Sequence, residues 1–226
     1  ALDRVCRAVL APGRRVVLPV PGFEMMPRYA RLAGADIVEV PWPDARFPLG
    51  EIETAIDEQT ALVVLTSPNN PTGAVVPPAA LCELAARFPA VLFAVDEAYA
   101  EFAGDVALGR AALSLDNAVL VRTLSKAWGV AGLRVGYAAA RPEVIRWLAA
   151  AGSPYPVSST SAALALARLE RGEAEVTAFV ERVQDEREQI AAALEAVGAR
   201  PVPSRANFVF ARLPKGPAQA LWLRDA

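Results

Sequence analysis

Lysine is rare in this chain, and its placement is the first hint of chemistry. Only Lys126 and Lys215 among the 23 basic residues are lysines, and the others are arginines. A lysine amine can lose its proton and attack a carbonyl, which an arginine guanidinium cannot do. Lys126 follows an apolar run in the segment TLSKAWG, whereas Lys215 in LPKGP is typical of an exposed turn. Lys126 is thus a candidate for imine chemistry, and a solvated lysine is the alternative.

Other polar segments also directly follow apolar runs. SPNNPTG occupies 67–73, DEAYAEF occupies 96–102, and Arg134 precedes the run VGYAAA. Each has an ordinary explanation when taken alone. The first is a common turn composition, the second an acidic pair at a helix start, and Arg134 a surface cation. Taken together, they place several polar groups at equivalent ends of successive strands.

The elements that must position these groups alternate between short apolar runs and amphipathic segments. Strands separated by helices indicate crossover connections, and therefore an α/β fold with a doubly wound, mainly parallel sheet. Ligands of such sheets gather at the carboxyl ends of the strands. The predicted strands are 15–20, 35–40, 61–67, 91–95, 117–122 and 134–140, and the predicted helices between them include 23–34, 49–59 and 77–88.

From about residue 142 the pattern becomes helical. A long run over 173–198 mixes apolar positions at three and four spacing with many charges, which predicts a helix with one solvated face. ANFVFARL (206–213) predicts one more strand. We expect a large domain over 1–170 and the start of a smaller, incomplete α+β domain over 171–226.

Composition excludes several functional classes. A formal net charge of −2 and a pI near 5.4 give no basic field for nucleic acid. The apolar runs are too short for membrane spans, and the first residues lack the pattern of a signal peptide, which predicts a cytoplasmic protein. With two cysteines outside any CxxC spacing and no histidine, neither a disulfide framework nor a metal site is expected.

Four segments in the same order give the chain a family resemblance. SPNNPTG, DEAY, TLSKAWGVAGLRVG and SPYPVS (153–158) resemble fold-type I pyridoxal-phosphate (PLP) enzymes, and among them the histidinol-phosphate aminotransferase group. The resemblance runs over nearly the whole chain. It implies an aspartate aminotransferase-like fold with PLP as cofactor.

The resemblance also implies roles for individual residues. Lys126 would form the imine with PLP and move the proton, and Asp96 would keep the pyridine nitrogen protonated. Asn70 and Tyr99 would donate hydrogen bonds to the phenolic oxygen. The remaining implied contacts are Thr123, Ser125 and Arg134 on the phosphate, Phe23 stacked on the ring, and Tyr155 and Asn207 near the substrate.

The same resemblance implies transamination between an amino donor, histidinol phosphate or an aromatic amino acid, and 2-oxoglutarate, in a homodimer. Two alternatives remain: another fold-type I reaction, such as decarboxylation of an amino-acid phosphate, and a non-catalytic remnant. In the family, a phosphate-binding turn and an N-terminal arm would precede residue 1, and a carboxylate-binding arginine would follow residue 226. Arg224 does not match that arginine by context.

Overall fold

The computed structural model of the chain describes residues 1–104 and 108–214. Within these ranges the elements run α1 (Leu2–Val9), β1 (Arg15–Val20), α2 (Met25–Leu32), β2 (Asp36–Pro41), α3 (Leu49–Ala55), β3 (Thr60–Thr66), α4 (Pro78–Arg87), β4 (Leu92–Asp96), α5 (Ala100–Ala103), α6 (Gly109–Ser114), β5 (Ala118–Thr123), β6 (Gly136–Ala140), α7 (Pro142–Ala150), α8 (Ser159–Arg171), α9 (Glu173–Ala196), β7 (Arg200–Pro201) and β8 (Ala211–Arg212).

The main sheet has the strand order β2-β1-β3-β4-β5-β6. The first five strands in this order are parallel, and β6 is antiparallel to β5. All residues of β3 and β4 are buried, because helices cover both faces of the sheet. The α/β, mainly parallel fold predicted from the sequence is confirmed.

Two hydrophobic layers hold the helices on the sheet. One layer joins α3, α4 and α6 to side chains such as Phe93 and Val95, and the other joins α1, α2 and α7 to their neighbours Leu92 and Ala94. Consecutive strand residues serve opposite layers because their side chains alternate between the faces. A third cluster packs α9 against the segments that follow β4 and β5, and includes Tyr99 and Phe102.

Two predicted strands differ from the structure. The strand expected at 134–140 begins at Gly136, because Arg134 adopts a left-handed backbone conformation with φ 56° after a 3₁₀ turn at Ala131–Leu133. The strand expected at 206–213 is reduced to Ala211–Arg212, which pairs with β7. Phe208, in its first half, packs on Tyr99 instead of joining a sheet.

Candidate active site

A cleft of about 370 Å³ lies at the carboxyl ends of β3, β4 and β5. Parallel strands bring these ends to one edge of the sheet, so the residues that follow them meet there. Eight of the ten side chains predicted from the sequence line the cleft: Phe23, Asn70, Asp96, Tyr99, Thr123, Ser125, Lys126 and Arg134. The cleft thus carries an amine, a carboxylate, a guanidinium and several hydroxyls within one space.

Asp96 is the buried acidic group of the cleft, which Asp3 also lines. It is the last residue of β4, in register with Thr66 and Val121 on the neighbouring strands. Its side chain is buried, and the Ala98 N–H donates to Oδ1 at 3.1 Å. Burial raises the pKa of Asp96 to about 6, although the Ala98 N–H and the charges of the N-terminal amine and Lys126 act to lower it. Such a carboxylate favours a cationic N–H partner in the cleft.

Lys126 lies in the segment that leaves β5. This segment is shaped by backbone hydrogen bonds from Leu124 N to Val135 O (3.1 Å) and from Gly129 N to Lys126 O (3.0 Å). Gly129 has a φ of +72°, a conformation that side chains disfavour. The Lys126 Nζ lies 5.0 Å from the centre of the Tyr99 ring, within cation–π distance. The amine is therefore held against the segment that bears Asp96 and Tyr99.

Tyr99 and Asn70 form a pair of hydrogen-bond donors. Asn70 Nδ2 donates to the Tyr99 hydroxyl at 3.3 Å, which leaves the hydroxyl proton free for another acceptor. The Tyr99 ring meets Phe208 edge-on, with centroids 5.1 Å apart. The Asn70 loop is fixed by buried Asn69, whose Nδ2 donates to Pro21 O at 3.0 Å and to a neighbouring threonine of the same loop. Both donors are thus pre-set in position.

Another group of residues that line the cleft, Thr123, Ser125 and Arg134, suits an anion. Thr123 Oγ1 donates to Ser125 Oγ at 3.0 Å, and the Ser125 backbone N–H donates back to Thr123 Oγ1 at 3.1 Å. Arg134 Nη1 donates to Ala131 O at 2.9 Å, which orients the guanidinium and leaves its other N–H groups for a ligand. Hydroxyls and guanidinium groups are the donors that phosphate oxygens accept best in proteins.

The donor set fits PLP group by group. Among the described residues, only the Ala98 N–H donates to the Asp96 carboxylate, and only to Oδ1, so Oδ2 is available to a pyridine N–H. The Asn70–Tyr99 pair supplies donors for a phenolic oxygen, and Lys126 supplies the amine for an aldehyde. The flank of Arg134 supplies donors for a phosphate. The residues present therefore fit the cofactor.

Two predicted substrate contacts lie apart from the cleft. The Tyr155 side chain is 89% exposed, and Asn207 is also exposed; neither lines the cleft in this structure. Lys215 and Arg224 lie outside the described residues. The role suggested for each of the ten residues stays a prediction.

Sequence reasoning overlooked several residues of the site. Thr66, Tyr29 and Arg122 also line the cleft. Arg122 directly precedes Thr123, but its side chain binds Glu97 with Nη2–Oε2 at 2.7 Å. The sequence could have indicated this pairing. Arg122 and Glu97 lie at the ends of adjacent apolar strands, where each charge would be costly to bury without a partner.

No group of three or more His, Cys, Asp or Glu side chains in residues 1–104 and 108–214 is arranged to hold a metal. The helices in this part of the chain include none that is long and apolar enough to cross a membrane.

The chain is similar to known proteins over nearly its whole length. The family described as aminotransferase class I and II matches residues 1–224. An aromatic amino acid aminotransferase of Mycobacterium bovis (strain BCG / Pasteur 1173P2) is 41% identical over 221 residues, which cover 95% of this chain and 61% of the relative. The chain thus spans about three fifths of the length of this curated relative.

Solved structures of aminotransferases are also similar to this chain. Histidinol-phosphate aminotransferase from Sinorhizobium meliloti, in complex with pyridoxal-5'-phosphate, is similar with a TM-score of 0.90 and 28% identity, over 99% of this chain and 62% of that one. A mutant of Thermus thermophilus aspartate aminotransferase is similar with a TM-score of 0.78 and 29% identity, over 92% and 61%.

Proposed function

Since the chain belongs to the class I and II aminotransferase family, we propose that it binds PLP through Lys126 and transfers an amino group from an aromatic amino acid to a 2-oxo acid such as 2-oxoglutarate. The observation that carries this proposal is the meeting of Lys126, buried Asp96 and the Asn70–Tyr99 pair in one cleft. When bound, PLP withdraws electrons from the bond that is broken at the substrate Cα.

The residues of the chain would divide the work as follows. Lys126 Nζ would hold the cofactor covalently between turnovers and, once released, carry the proton removed from the substrate. Asp96 would hold a proton on the ring nitrogen, because its buried charge is stabilised by that proton. Tyr99 and Asn70 would orient the ring, and Arg134 would bind the phosphate.

The choice of an aromatic donor rests on two observations. Relatives that are 39–41% identical to this chain are named aromatic amino acid aminotransferases. The cleft also has three aromatic side chains, Phe23, Tyr29 and Tyr99. The described side-chain cations that line it are all engaged: Arg122 is bound to Glu97, and Lys126 and Arg134 would be occupied by PLP. A donor phosphate would therefore lack a free side-chain cation among the described residues of the cleft, which favours phenylalanine or tyrosine over histidinol phosphate.

The covalent link can be tested by reduction. The chain is incubated with PLP, reduced with borohydride and digested, and the pyridoxyl group is located by mass spectrometry. We expect it on Lys126, together with an absorbance band of the bound cofactor that Lys126→Ala abolishes. Lys215→Ala is the matched control, since Lys215 is the other lysine of the sequence. A label on Lys215 with Lys126 unmodified would disprove the proposal.

The donor can be tested by competition. Phenylalanine, tyrosine and histidinol phosphate are each supplied with 2-oxoglutarate, and glutamate formation is measured. We expect the two aromatic amino acids to give the higher kcat/KM. A higher kcat/KM for histidinol phosphate, the second candidate donor, would contradict the inference drawn from the engaged cations. Release of carbon dioxide in place of a keto acid would indicate a decarboxylase.

We also propose a homodimer, with a domain boundary near residue 171. Several large apolar side chains on the described surface are about half or more exposed, which is typical of surfaces that become covered: Tyr137, Trp147, Tyr155, Leu164 and Leu166. The boundary coincides with the end of α8 at Arg171. Sedimentation velocity at micromolar concentration should give a dimer, and a monomer at all concentrations would refute this assembly. A cytoplasmic location stays a prediction.

A further inference from the structure

An ion pair between Glu97 and Arg122 adjoins the cleft, which Arg122 lines. Glu97 is fully buried, and its Oε2 accepts hydrogen bonds from Arg122 Nε at 2.9 Å and Nη2 at 2.7 Å. Its Oε1 accepts the Gly109 N–H at 2.8 Å. A Cβ at Gly109 would lie 3.0 Å from Glu97 Oε2, so a glycine lets this backbone come close. The pair ties the end of β4 to the end of β5.

The same arginine continues toward Lys126. Arg122 Nη1 lies 3.7 Å from Glu101 Oε1, and Trp128 Nε1 donates to that oxygen at 3.2 Å. Trp128 is two residues beyond Lys126, and its carbonyl accepts a hydrogen bond from Arg168 Nε at 3.0 Å. Glu101 therefore connects the segment after β4 with the segment that bears the amine.

This arrangement is better suited to fixing geometry than to adding stability. Burying charges costs free energy that the ion pair roughly offsets, so apolar residues of similar volume would stabilise the fold at least as well. A site that binds one ligand from two separate segments, however, needs their spacing fixed within about 0.5 Å. Asp96 and Tyr99 lie on one of these segments, and Lys126 lies on the other.

We propose that Glu101, which bridges Arg122 and Trp128, is a positioning residue that holds Lys126 at its working distance from Asp96 and Tyr99. This inference rests on the proposed function in taking Lys126 as the amine that binds PLP. Glu101 does not line the cleft and acts through Trp128.

The test measures the PLP concentration that gives half-maximal borohydride-trapped labelling of Lys126, with labelling of Lys215 in the same digest as the internal reference. Glu101→Ala should raise this concentration roughly threefold or more, as expected for a coupled neighbour. Glu101→Gln keeps an oxygen for the indole N–H and should restore part of the affinity. Trp128→Phe removes the donor and should resemble Glu101→Ala, with the double variant no worse than either single one.

Glu53→Gln is the matched control. The Glu53 side chain is 18% exposed against 19% for Glu101, and it pairs with Arg87 at 2.9 Å, away from the cleft. It should leave the labelling of Lys126 unchanged.

The second measurement is the pH at which the absorbance of bound PLP changes. Glu101→Ala should shift this pH, whereas a role of Glu101 limited to stability would leave it unchanged.

The outcomes separate the two proposals. If Lys126 of the unaltered chain is not labelled, the proposed function fails. If Lys126 is labelled with the same concentration dependence and pH midpoint in all Glu101 and Trp128 variants, only the positioning role fails. An effect of Glu53→Gln equal to that of Glu101→Ala would also overturn it. Should Glu101→Ala fail to fold, the positioning role is tested by comparing the labelling of Lys126 in Glu101→Gln and Trp128→Phe with that in the unaltered chain.

Discussion

Replacing Asp96 by asparagine should make the cofactor-free chain more stable at neutral pH. Burial raises the pKa of this carboxyl from 3.8 to about 6. A pKa difference of about 2 units corresponds to about 3 kcal/mol. Because the side chain is only 5% exposed, solvent screening does not reduce this figure much. The charge of Asp96 therefore works against folding of the cofactor-free chain, although Lys126 and the N-terminal amine offset part of the cost of burying it.

The sign follows from proton binding. Between about pH 4 and pH 6 the folded chain binds a proton at Asp96 that the unfolded chain has released, so the free energy of unfolding falls as the pH rises. Above pH 6 both states are ionised, and the loss is constant. An asparagine at this position would carry no charge, and its side-chain oxygen could still accept the Ala98 N–H. The stability gained by Asp96→Asn should thus grow from near zero at about pH 4 to about 3 kcal/mol at about pH 7.

The assay is urea unfolding of the cofactor-free chain, followed by tryptophan fluorescence between pH 4 and pH 8. Asp36→Asn, which removes an exposed carboxylate at the start of β2, is the control for the loss of a surface charge. With PLP present the order should reverse, because Asp96→Asn loses the charge that holds the ring proton. An equal or lower stability of Asp96→Asn at pH 7 without PLP would refute the reasoning.

Two further predictions concern a glycine and the cysteines. A Cβ at Gly73 (φ +75°) would lie 2.8 Å or less from side-chain and backbone atoms of Ser204, so Gly73→Ala should lower the free energy of unfolding by more than about 2 kcal/mol. Gly13 has a similar φ but open space around it, so Gly13→Ala should lower that free energy by about 1 kcal/mol. Equal losses in the two variants would contradict the packing argument. Burial raises the pKa of the Cys6 thiol to about 12, whereas Cys82 is exposed. A maleimide at pH 7 should therefore label Cys82 alone, as measured by the masses of the digested peptides. Fast labelling of Cys6 would contradict its burial.

The sequence predicts the sheet and most of the cleft because both depend on local pattern. Apolar runs such as 61–67 and 91–95 match β3 and β4, and parallel strands must bring their carboxyl ends together. This explains why the sequence predicts one site for Asp96 and Lys126, which both line the cleft.

Features that depend on long-range packing could not be predicted from the sequence. Nothing in GYAAA indicates that β6 runs antiparallel, since apolar alternation carries no direction. The stretch before β8 favours strand by composition, yet Phe208 is drawn into packing with Tyr99. The sequence alone favours an acidic pair at a helix start for Asp96 and Glu97, whereas in the structure Asp96 Oδ1 accepts the Ala98 N–H and Glu97 Oε1 accepts the Gly109 N–H.

The antiparallel strand β6 has a consequence for the behaviour of the chain in solution. It is the last strand in the sheet order, and its residues Gly136–Ala140 carry small or aromatic side chains without a single charge. One row of its backbone N–H and C=O groups has no strand partner among the described residues. Natural proteins protect such rows with lysine, proline or a bulge, since a bare row is a template for aggregation. Solubility of this chain therefore depends on what lies against the outer edge of this short strand.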